Sequence, residues 1–146
     1  YETMLAQVQE MLYIEKGGNE QLKDELEAYN PLIPNGKELT ATLMFEIDNP
    51  VSRADFLAKV GGIEDKIFMK IDGEVIKAVP EDDVDRTSAE GKASSVQFIH
   101  FKLSDEQINK FKDLTKIEIG IDHKEYSHTT KLTEDTIKSL SADFIL

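Results

Sequence analysis

Two histidines, two acids and a tyrosine fall within one short stretch, GIDHKEYSH, at positions 120–128. If a turn through Lys124 to Ser127 brings His128 back beside His123, the two imidazoles and a carboxylate from Asp122 or Glu125 would suit a divalent metal such as zinc or iron. Tyr126 would stand beside them as a ligand-binding group. The competing reading is structural: a strand end and its turn, with His123 tied to a backbone carbonyl. The third histidine, His100, shares a strand face with Val96 and Phe98, opposite Gln97, so positions 97 and 100 cannot chelate one ion from a regular strand.

Other groups that could do chemistry are scattered. The segment PEDDVDRTSAEGKAS, residues 80–94, is long for a connection between strands. Arg86 and Lys92 within it, with Thr87, Ser94 and Ser95, could hold a carboxylate or phosphate; the alternative is a salt-bridged loop docked on a sheet edge. Its acids Asp82, Asp83 and Asp85 lack the glycine and terminal glutamate positions of a calcium loop. Glu10, on the first helix with Glu15, is a ligand or general-base candidate if it reaches a histidine, and otherwise a solvated carboxylate. HExxH, phosphate-loop, dinucleotide and nucleophile-elbow patterns do not occur.

The elements that must position these groups follow from periodicity. YETMLAQVQEMLYIEK carries Met4, Val8, Met11 and Leu12 at helical spacing and is closed by Gly17 and Gly18; Asn19 is the expected cap of a second helix with Leu22, Leu26 and Tyr29 on one side. This is an N-terminal helical hairpin. LTATLMFEI alternates as a strand, Pro50 opens a helix, and Asp72–Gly73 between two β-rich runs signals a hairpin. SSVQFIHFKL is apolar on both faces and reads as a central strand. Ser104 with Gln107 forms a capping box, KIEIGID places Ile117, Ile119 and Ile121 inward, and Thr133 starts a C-terminal helix. The expected class is α+β, with helices packed on a mainly antiparallel β-sheet.

Composition narrows the function. The 146 residues suit a single domain, 1–146, and contain no cysteine, which removes disulfides, thiolate catalysis and cysteine-held clusters. A formal charge of −12 argues against nucleic acid, which requires clustered cations. No run reaches the roughly 20 apolar residues of a membrane helix, so no membrane partner is expected and the cytoplasm is the default location. A helical pattern already under way at Tyr1 suggests that an upstream N-terminal segment is lacking.

Five blocks, VQEMLYIEKG, DELEAYNPLIPNGKEL, GGIED, EDDVDRTSAEGKASSVQFIHF and GIDHKEYSH, resemble in order and spacing the bacterial family catalogued as domain of unknown function 3501. The resemblance implies a cytoplasmic bacterial protein encoded beside a rubrerythrin-like di-iron protein and an iron–sulfur oxidoreductase. It also implies an upstream Arg- and Lys-rich segment. One departure stands out: Gln97 lies where many relatives have histidine, which would impair a metal site built on that position. The reading that results is a non-catalytic, partner-binding accessory protein of a redox or peroxide-response module. The alternative is a metal- or small-anion-binding protein, an enzyme among the possibilities, using His123, His128 and Arg86.

Overall fold

The computed structural model describes residues 1–81, 85–113 and 116–145. It opens with helices α1, Glu2–Glu15, and α2, Gly18–Tyr29, packed against one another. The corner differs from the sequence expectation. Lys16 takes the left-handed conformation and closes α1 onto Leu12, while α2 begins at Gly18 rather than after Asn19. Gln21 explains the shift: its amide oxygen accepts from the Gly17 N–H at 2.7 Å, and its Nε2 donates to the Met11 carbonyl at 3.1 Å. One side chain thus serves the start of one helix and the wall of the other.

The strands are β1, Glu38–Met44; β2, Ile67–Ile71; β3, Glu74–Lys77; β4, Val79–Pro80; β5, Val96–Lys102; β6, Ile117–His123; and β7, Tyr126–Lys131. They pair antiparallel in two sheets, ordered β1-β5-β4 and β3-β2-β6-β7. The chain is therefore α+β, and β5 holds the central place its two apolar faces imply. Asp72 and Gly73, both at positive φ, form the two-residue turn expected between β2 and β3. The sheets are joined where β3 runs on into β4 through Ala78, whose N–H donates to the Ile67 carbonyl at 3.0 Å.

Both inner faces feed one core. Leu39, Ile99 and Phe101 from the first sheet meet Ile67, Ile71, Ile117 and Ile121 from the second. Each such side chain, fully buried, contributes about 1.5–3 kcal/mol. Helix α3, Pro50–Lys59, adds Leu57; its cap Asn49 accepts from Val51 and Ser52, with Pro50 preset for the first turn. Helices α4, Asp105–Lys112, and α5, Glu134–Ser141, close another side through Ile108, Phe111 and Ile137. Phe111 meets Phe144 edge-on, with centroids 5.4 Å apart. Among the described residues no helix is long and apolar enough to cross a membrane.

The expected capping box is present, and it also reaches outward. Gln107 accepts from the Ser104 N–H and donates to Glu74 Oε1 at 2.6 Å, linking α4 to β3. That amide, with Lys110 adding to it, holds the Glu74 carboxyl below its ordinary value of 4.5. Because the folded value lies below the unfolded one, the contact stabilises the fold above the unfolded value and is lost as pH falls through the folded one. In Gln107→Ala the Glu74 pKa is expected to climb back toward 4.5, followed by NMR titration of the side-chain carboxyl.

Candidate functional site

The stretch 120–128 is a tight hairpin. Lys124 and Glu125 alone make the turn, and Tyr126 already pairs with His123. The longer turn expected through Ser127 is thus replaced by a strand, β7, whose Ser-His-Thr-Thr run has too little apolar content to announce itself. Strand alternation puts His123, Tyr126 and His128 on the inner face of the second sheet, with His128 opposite Ile121.

His123 is buried, and both of its ring nitrogens are engaged. Nδ1 accepts from the Glu125 N–H at 3.2 Å, which leaves Nε2 to donate to the Gly61 carbonyl at 3.3 Å. This arrangement leaves neither ring nitrogen with a lone pair to spare. Asp122 and Glu125 are exposed. Among the described residues no three His, Cys, Asp or Glu side chains are grouped so as to hold a metal ion.

Tyr126 and His128 instead stand beside an open, largely apolar cleft of about 260 Å³ between the two sheets. Its walls are Ala41 and Leu43 of β1 and Ile67, Ile99, Ile119 and Ile121 from the inner faces. One end is closed by an aromatic trio: Phe45, Phe56 and Tyr126, with centroids 5.1 to 5.7 Å apart and planes steeply inclined. His128 lies 4.6 Å from the Tyr126 ring. Apolar walls with one imidazole and one phenol at the rim suit burial of an apolar group whose polar end is oriented by hydrogen bonds. Alternation in the sequence shows which side chains of β1 and β6 face inward. It does not show that β1 and β7 end their sheets on either side of a gap.

The remaining candidates lie elsewhere. Arg86 is buried, with its guanidinium 4.9 Å from the Phe98 ring centroid, whereas Lys92 is exposed. Their loop is docked on the body: the Thr87 hydroxyl donates to Glu64 and accepts from the Gly62 N–H, and the Ala93 N–H donates to the Leu57 carbonyl. Asp85 is exposed, while Asp82 and Asp83 lie outside the described residues. Glu10 is on the exposed side of α1.

Sequence reading missed a polar cluster on the outer face of the first sheet. His100 Nδ1 lies 3.1 Å from Glu38 Oε2, and its Nε2 lies 2.5 Å from Glu81 Oε1. All three side chains are at most one-fifth exposed. Two acceptors on one imidazole require both ring nitrogens to carry hydrogen, or a carboxyl to keep its own. Tyr29 of α2 covers the neighbouring Phe98 edge-on at 5.9 Å; burial, then the charge of Glu25, pushes its phenol up from the ordinary range. Gln97, on the opposite face as its strand position requires, is fully buried and donates to the Ser94 carbonyl. The His100 contacts are missed because Glu38 and Glu81 are distant in sequence and polar like any loop residue. Replacing His100 with leucine strands two buried carboxylates, so His100→Leu should destabilise the protein by about 3–5 kcal/mol in denaturant unfolding. Adding Glu38→Gln and Glu81→Gln should recover part of that loss.

Among curated proteins nothing matches the sequence. Among solved structures the chain is similar to a crystal structure of a novel protein of unknown function from Burkholderia pseudomallei K96243, with a TM-score of 0.86 and 36% sequence identity. The match covers 98% of this chain and 75% of that one. The family model described as "Protein of unknown function (DUF3501)" matches residues 1–144, and the chain belongs to that family.

Proposed function

We propose that the chain is a partner-binding accessory protein and that its docking site is the cleft between β1 and β7. One observation carries this reading: an apolar cleft opens to solvent between strands that each end a sheet. An apolar groove in that position can receive an apolar group of a partner. Its lining offers Tyr126 and His128 for orientation, and the His123 nitrogens are already committed to the turn.

The sequence likeness drawn above supports partners of a redox module, a rubrerythrin-like di-iron protein or an iron–sulfur oxidoreductase. The absence of cysteine is consistent with that division of labour, since any cysteine-held electron carrier would belong to the partner. Binding would then serve to position or protect the redox protein.

The reading is tested by photocrosslinking in cells. A photoreactive amino acid at position 42 or 130, on the cleft rim, should give one discrete adduct that mass spectrometry identifies as a di-iron or iron–sulfur protein. The same probe at position 77, on exposed β3, should not. His128→Ala should weaken the isolated interaction about tenfold, the ~1.4 kcal/mol of one good polar contact. Equal adducts from position 77, or none from the cleft, would overturn the assignment.

A further inference from the structure

The two strands that flank the cleft differ in how they end their sheets, and backbone parity shows which groups they present. In the β6–β7 hairpin the two-residue turn makes His123 and Tyr126 a hydrogen-bonded pair, and the Leu132 N–H donates to the Ile117 carbonyl in the same register. Residues 126, 128 and 130 therefore spend their backbone groups on β6. Ser127, Thr129 and Lys131 point theirs the other way, to the open edge. On the opposite wall, the Phe45 N–H donates to the Ser95 carbonyl and the Leu103 N–H to Lys37. This leaves the backbone groups of Thr40, Thr42 and Met44 facing outward from β1.

Strand β7 is the less protected of the two. Its six residues, YSHTTK, are half-buried only at Tyr126 and exposed from Ser127 onward. It contains no proline, no glycine and a single charge, at its far end, so the devices that normally blunt an edge are nearly absent. Behind it lies the apolar cleft, so a chain paired to β7 would lay alternate side chains beside Tyr126, His128 and Thr130, at the mouth of that cleft. Charge also selects the occupant. A second groove, of about 290 Å³, shares Ala41 and Thr42 with the cleft and is lined by Glu2 and Asp143. Neither lining contains a lysine or arginine among the described residues, on a chain of formal charge −12.

We infer that the cleft receives an extended, basic polypeptide segment of the partner, which pairs with the open backbone edge of β7 and inserts alternate apolar side chains between the sheets. The inference rests on the reading of the cleft as the docking site and specifies its occupant. Backbone hydrogen bonds to Ser127 and Thr129 supply register, the apolar cleft supplies burial, and Lys or Arg on the other face of the segment suits a chain of formal charge −12 with Glu2 and Asp143 in the adjoining groove.

The test uses defined probes on the isolated chain: an alternating Lys/Val octapeptide, its Glu/Val counterpart, and a Lys/Val peptide N-methylated at every second residue. Two-dimensional NMR should show the Lys/Val peptide moving resonances along β7 and slowing amide exchange at Ser127 and Thr129. The other two peptides should bind at least about tenfold more weakly. Thr129→Pro removes an outward N–H while leaving the β6 ladder intact, so it should abolish peptide binding with the His128 and Thr130 amides still protected.

No binding of the Lys/Val peptide, equal binding of the N-methylated or Glu/Val peptide, or shifts away from β7 would overturn the inference. So would self-association that Thr129→Pro abolishes, which would assign the edge to a second copy of this chain. An adduct from positions 42 and 130 that persists undiminished in Thr129→Pro would sink strand pairing but leave the docking site standing. Loss of all cleft adducts would remove both.

Discussion

The architecture depends on one crossing. β3 passes into β4 through Ala78, and the Ala78 N–H stays bonded to Ile67 of the neighbouring strand, so the two sheets are pinned together on that side by a continuous chain. With that side closed, the inner faces must converge, and Ile67, Ile99 and Ile121 become one core instead of two exposed surfaces. The same constraint leaves the other side open. β1 and β7 end their sheets without pairing to each other, and the apolar interior meets solvent between them.

That opening has a cost which the surrounding residues limit. The aromatic trio at one end shields part of the interior through inclined ring contacts, which are favourable beyond their buried area. At the other end Leu140 of α5 packs against the core and lines the adjoining groove. The acidic and imidazole groups of the first sheet lie on its outer face instead, where His100 sits between Glu38 and Glu81 on the side that Tyr29 of α2 covers at Phe98. Separating this buried polar cluster from the apolar cleft keeps the cleft lining almost free of ionisable groups.

Much of the fold was legible in the sequence because its strongest signals are local. Asp72–Gly73, the Ser104–Gln107 box, Pro50 and the alternation that starts at Leu39 each fix a short piece of backbone, and the structure follows them, except that β1 ends at Met44, short of the Ile47 to which the alternation runs. The site was legible only in part. Tyr126 and His128 were singled out by residue type, and they do lie together at the cleft rim, but their neighbours Ala41, Leu43 and Ile99 come from strands far away in sequence. β7 itself was hidden because an edge strand exposed for most of its length needs no hydrophobic pattern. The His100 pairing with Glu38 and Glu81 was equally invisible, since sequence separations of 62 and 19 carry no periodic mark.

Gly61 shows how these parts are coupled. Its carbonyl accepts from His123 at the tip of the β6–β7 hairpin, and a Cβ at its Cα would sit 2.2 Å from the Gly91 carbonyl oxygen in the loop that holds Arg86. Two segments with no sequence relation therefore bear on the same residue from different sides, like two beams resting on a single pin. A side chain there would push the Arg86 loop away and tilt the peptide unit that steadies His123. Through His123, which pairs with Tyr126, this glycine bears on the hairpin that flanks the aperture without lining it.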